Sequence, residues 1–135
     1  MEPTRTPPLV LSGTDLSGAA SARRFVRQQV RSVTAGDVTS DVVLATSELV
    51  TNAVQHGPSS TVTVTVHTDD DTVAVTVEND GSAPDLPTDV GDWTVAAPSA
   101  PNGRGLGIVR AISDRVEMTR TASSVSITVE FDRRR

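Results

Sequence analysis

The chain has 135 residues, a net charge of −5 and no cysteine, so it holds a single core and carries no disulfide or thiolate metal site. All twelve basic residues are arginine, which excludes a P-loop lysine and Schiff-base chemistry. An acidic chain without a basic face is a poor nucleic-acid binder, and no run reaches the ~18 apolar residues of a membrane helix.

In chain order, residues 1–8 are polar and Pro-rich, lack the apolar core of a secretion signal, and are expected to form a disordered lead. A cytoplasmic location is expected. Leu9, Val10 and Leu11 suit a short strand before Ser12 and Gly13. From Ser17 to Val33 the pattern is helical, with Phe25, Val26, Val30 and Val33 on one stripe and Arg23, Arg24, Arg27 and Arg31 mostly away from it. Gly36 and Asp37 are expected to break this helix. A second helix is expected from Thr39 or Ser40 to about His56, ended by Gly57 and Pro58.

Two alternating runs follow, with Val62, Val64 and Val66 and then Val73, Val75 and Val77 on one face, separated by Asp69, Asp70 and Asp71. A third closes the chain through Val125, Ile127, Val129 and Phe131. Strands apolar on one face only belong to a sheet covered on one side, and the helices supply the cover. Residues 81–102 carry no periodicity and have the composition of a functional lid or a disordered loop. A third helix is expected over 106–114, with Ile108, Val109 and Ile112 facing inward. The arrangement is an α+β, two-layer sandwich: a mixed, mostly antiparallel sheet covered on one face by about three helices. The domain spans 9–132, and 133–135 form a basic tail.

Three segments carry chemistry. Glu48 and Asn52 stand four apart on the second helix, about 40° from each other around its axis, beside the stripe of Val42, Leu49, Val50 and Ala53. From there a carboxylate can take a proton or orient a nucleophile, and an amide oxygen suits a hard ion such as Mg²⁺. A solvated helix face is the alternative for that pair alone. Gly103-Arg104-Gly105-Leu106-Gly107 opens the third helix, where bare backbone and free N–H groups suit a phosphate, although a turn that merely admits tight packing has the same composition. Asn79-Asp80-Gly81 ends a strand. Strand parity turns Asn79 toward the covered face, an odd place for a polar group unless something there needs a hydrogen bond, while a plain turn is the alternative.

Together these segments resemble the GHKL ATPases, in particular the small bacterial anti-sigma-factor serine/threonine kinases. Residues 47–57, Ser-Glu-Leu-Val-Thr-Asn-Ala-Val-Gln-His-Gly, look like their N-box, Asn79-Asp80-Gly81 falls at the adenine box, and Gly103 to Gly107 matches the second glycine box. The resemblance implies the histidine-kinase-like (Bergerat) fold with ATP and Mg²⁺ as cofactors. It implies that Asn52 ligates Mg²⁺ and that Glu48 polarises the attacking hydroxyl. Gly103, Arg104, Gly105, Leu106 and Gly107 then line the triphosphate, with Asn79 and Gly81 at the adenine and 82–102 as lid. His56 either lies near phosphate or pairs with helix-end carbonyls. His67 receives no role.

One departure concerns the adenine box, where the family's Asp-x-Gly is Asn79-x-Gly81 here and a later glycine is Ala83. An amide oxygen accepts the adenine amino group without charge assistance, so modest affinity is expected. The chain starts about sixteen residues before its first helix, leaving no room within it for a phosphoacceptor domain. The acceptor is therefore expected on a partner. In the resembled family this is an anti-anti-sigma protein of STAS type, with a sigma factor competing, and a homodimer is a further implication. The alternative is a partner-switch module that binds ATP without transferring phosphate.

Overall fold

The computed structural model describes residues 4–5, 7–12, 17–56, 61–80 and 104–134, the side chains of residues 4, 5, 55, 56 and 104 excepted. Its elements are β1 (Thr4–Arg5), β2 (Leu9–Ser12), α1 (Gly18–Val30), α2 (Gly36–His56), β3 (Thr61–Thr68), β4 (Thr72–Asn79), α3 (Arg104–Ile112), β5 (Arg115–Arg120) and β6 (Val125–Asp132). One sheet runs β1–β3–β4–β6–β5, with β2 sharing the β3 edge, and every described pairing is antiparallel.

The alternation read in the sequence sets the sheet. On β3, β4 and β6 the valines, Ile127 and Phe131 are buried, while the intervening threonines and charged residues are half-buried or exposed on the other face. The buried face meets Ala22, Val26 and Val30 of α1, Val38, Val42, Ala45, Leu49, Val50 and Ala53 of α2, and Leu106 and Val109 of α3 in one core. Valine dominates because its branched side chain suits a pleated surface and loses little entropy there. Thr46 is the buried polar residue of α2, and its hydroxyl donates to the Val42 carbonyl 2.8 Å away. No described helix is long and apolar enough to cross a membrane.

Four expectations change. The lead is not structureless: Thr4 and Arg5 pair with Thr68 and His67, and the register slips by one residue before Leu9 pairs with Val64. Pro7 and Pro8 lie between β1 and β2, outside either strand, where their missing N–H groups cost no ladder bond. Helix α2 starts at Gly36, so Gly36 and Asp37 open a helix where a break was expected. Thr39 and Ser40 lie inside its first turns, donating to the Ala35 and Gly36 carbonyls at 3.0 and 3.1 Å. Strand β5 was not anticipated. Arg133 is no solvated tail residue: its Nε donates to the Val33 carbonyl (2.9 Å) and its Nη1 to the Asp69 carbonyl (2.7 Å). It thereby ties the α1–α2 connection to the β3–β4 turn.

That turn is built on Asp69. Its Oδ1 accepts the Asp71 and Thr72 N–H groups at 2.9 and 2.8 Å and the Thr72 hydroxyl at 3.1 Å. These bonds, the Asp71 N–H first, hold its carboxyl below the usual carboxylate range.

Candidate nucleotide and phosphoryl-transfer site

Glu48 and Asn52 are half-buried on α2, flanked by buried Leu49, Val50 and Ala53. The helix presents its apolar stripe to the sheet, which leaves the acid and the amide at the margin of the core, where α3 packs against α2. Neither Glu48 nor Asn52 makes a hydrogen bond or ion pair among the described residues.

The two helices come into close contact at Gly105 and Glu48. A Cβ placed on Gly105 would lie 2.6 Å from Glu48 Oε2, 3.6 Å from its Cδ and 3.7 Å from its Cβ. Only a hydrogen at that position admits the carboxylate. The glycine motif and the Glu48-Asn52 motif, 57 residues apart at Glu48 and Gly105, thus meet in space. Leu106 turns its side chain into the core and is 3% exposed, so only its backbone remains for a ligand. Gly107 is buried on the same helix.

Asn79 is the last residue of β4, 5% exposed on the helix-covered face, with Val62 and Val125 beside it in register. Strand parity anticipated this direction. Its neighbour Asp80 is exposed and serves the sheet: Oδ1 accepts the Thr61 N–H at 3.2 Å and Oδ2 the Thr61 hydroxyl at 3.3 Å. Of the two, Asn79 is the one held toward the core.

Gly57, Gly81, Ala83, Gly103 and the expected lid over 82–102 lie outside the described residues, as do the side chains of His56 and Arg104. His67, given no role, is half-buried on β3, with its Cα opposite Ala74. Sequence reasoning missed one contact beside the site: Arg23 Nη1 of α1 donates to Ser47 Oγ at 2.9 Å, bracing the residue before Glu48. No periodicity signals a bond between two helix surfaces. Two grooves lined by described residues, about 350 Å³ at Asp70, Asp71, Asp132 and Arg134 and about 300 Å³ at Arg115, Val116, Glu117, Thr128 and Glu130, include none of the candidate residues in their linings. Among the described residues there is also no His, Asp and Glu cluster able to hold a metal ion.

Comparisons with known proteins identify the family and the fold. The profile of the histidine kinase-like ATPase domain matches residues 14–131. The crystal structure of the RsbU and RsbW domains of Rv1364c from Mycobacterium tuberculosis is similar in fold, with a TM-score of 0.67 and 22% identity. The match covers 93% of this chain and 32% of that one, so this chain spans about a third of its length. No curated protein matches. The profile takes in both helices that meet at Glu48 and Gly105 and the strand that ends on Asn79, and the chain belongs to the histidine kinase-like ATPase domain family.

Proposed function

We propose that the chain binds ATP with Mg²⁺ and transfers the γ-phosphoryl group to a serine or threonine of a protein partner. The observation that carries this reading is the seat of Glu48 against Gly105, a carboxylate at the head of the helix whose backbone would face phosphate. The donor set fits the nucleotide. Asn52 offers an amide oxygen of the kind Mg²⁺ takes, the glycines offer N–H groups to phosphate, and Asn79 offers an acceptor to the adenine amino group. With no acidic cluster among the described residues, Asn52 would hold Mg²⁺ only together with the phosphates of the nucleotide and water.

Phosphoryl transfer asks the protein for alignment and charge neutralisation, both of which bound Mg²⁺ and the backbone amides supply. Glu48 accepts the proton of the acceptor hydroxyl as its oxygen bonds to the γ-phosphorus and the bond to the β-phosphate oxygen breaks. The products are phosphoserine or phosphothreonine and ADP, and the proton leaves on the carboxyl group.

The resemblance to the anti-sigma-factor kinases and the RsbW-containing structure support a partner switch. The acceptor in this reading is a STAS-type anti-anti-sigma protein, and a sigma factor competes for the same chain, in a cytoplasmic setting and without nucleic-acid contact. A second reading is binding without transfer, which needs only Asn52 and the glycines. Retention of Glu48 favours transfer, and Asn79, an uncharged amide where the family has a carboxylate, bears on affinity in either reading. Incubating the chain with labelled ATP and STAS-type proteins encoded beside it separates the two. Label on a partner serine supports the kinase; a nucleotide-dependent rise in melting temperature with no label on any partner supports the binder.

A further inference from the structure

We infer that Gly105 is a positioning residue for the Glu48 carboxylate, and that a hydrogen is required at its Cα by the acid of α2, not by the nucleotide. The inference rests on the kinase reading for its activity arm, while its structural arm stands apart.

The backbone at Gly105 imposes no requirement of its own. None of the described glycines has positive φ, so an alanine at 105 would keep the helical conformation. Alanine is also the better helix former, by roughly 1 kcal/mol per residue. What excludes a side chain is direction: the methyl would point at Glu48 Oε2, 2.6 Å away, a separation real atoms do not keep. The rest of Glu48 is at ordinary contact distance, its Cδ at 3.6 Å and its Cβ at 3.7 Å. The carboxylate is the free end of a side chain with three rotatable bonds. It would swing aside while the helix stayed where it is, packed through Leu106 and Val109.

The consequence separates two roles a glycine can have in a phosphate-facing turn. If Gly105 were required so that phosphate can approach the backbone, a methyl would obstruct the nucleotide and weaken its binding. Here the methyl direction is already occupied by Glu48, and alanine retains the N–H that a phosphate would use. Substitution therefore displaces the base and spares the binding surface. General bases contribute about 10²–10⁴-fold, and displacement by an ångström or more removes a large share of that.

The test is Gly105→Ala in the full chain. Carbonyl spectra of protein labelled at glutamate Cδ, assigned with Glu48→Gln, read the carboxylate without any reaction. The Glu48 resonance is expected to move while those of Glu78, Glu117 and Glu130 stay. Melting temperature is expected to hold or rise, ATP affinity to stay within about 3-fold, and transfer to fall by at least about 10-fold. An unmoved Glu48 resonance overturns the inference, as does a loss of affinity that matches the loss of transfer. If wild-type chain transfers no phosphate, the kinase reading falls, and the resonance comparison still decides the seat of Glu48.

Discussion

Gly105 lies so close to Glu48 that its Cα hydrogen takes the place of a side chain, with the position of an added Cβ 2.6 Å from the carboxylate oxygen. The acid belongs to a helix whose apolar stripe is spent on the sheet. The glycine belongs to the first turn of a helix packed alongside, and their meeting joins two weak motifs into one candidate site.

The plainest prediction concerns the acid. Glu48→Gln removes the proton acceptor and keeps the shape, and Glu48 makes no hydrogen bond or ion pair among the described residues. Transfer should drop about 10²-fold or more, with ATP affinity and melting temperature nearly unchanged. Paired kinase and calorimetric measurements check this, and equal loss of transfer and binding would remove Glu48 from its assigned role.

Asn52→Ala should abolish the Mg²⁺ dependence of ATP binding. Titrations with and without the ion give the comparison. A mutant that still gains affinity from Mg²⁺ to the wild-type extent has its ligand elsewhere.

In the proposed reading, Asn79→Asp gives a charge to the acceptor offered to the adenine amino group. A charge-assisted hydrogen bond exceeds a neutral one by about 1 kcal/mol, so ATP affinity should rise about 5-fold. A carboxylate at a position 5% exposed also carries a desolvation cost, so the ligand-free mutant should melt below wild type and regain part of the loss with ATP. Melting curves across a nucleotide series read both effects.

Arg133→Ala removes donors from the Val33 and Asp69 carbonyls, where the β3–β4 turn meets the α1–α2 connection. Loss of about 2 kcal/mol is expected from chemical denaturation. Arg133→Lys should recover only part, since an ammonium cannot reproduce the fork of the guanidinium.

Asp69 sets a pH dependence. Its folded-state pKa is lowered by the N–H groups of Asp71 and Thr72, so its contribution is present above the ordinary carboxylate pKa and is lost as pH falls through the depressed folded value. Denaturation of wild type and Asp69→Asn should differ at neutral pH and converge in acid, and parallel curves would contradict the assignment.

Much of this was legible in the sequence because it follows from period. Val62 to Val66, Val73 to Val77 and Val125 to Phe131 alternate without interruption, and the same parity turns Asn79 inward. Strand β5 escaped because its inward side carries only Val116 and Met118 before Arg120, among charged neighbours typical of an edge. The start of α2 was misplaced because Gly36 and Asp37 look like breakers, although an acid in the first turn also favours a helix. The pairing of β1 and the fixing of Arg133 depend on residues more than 60 positions away, which no local pattern encodes. The same holds for the contact between Glu48 and Gly105. The sequence supplied both motifs, and only the crossing of two helices shows that one needs the other to be bare.

The most direct test is an amide and side-chain NMR titration of the full chain with MgATP. Saturable shifts are expected at Glu48, Asn52, Asn79 and the Gly105–Gly107 turn, lost when Mg²⁺ is chelated or Asn52 is replaced by alanine. A spectrum unmoved at saturating nucleotide, or shifts confined to the grooves around Asp132 and Arg115, would contradict it.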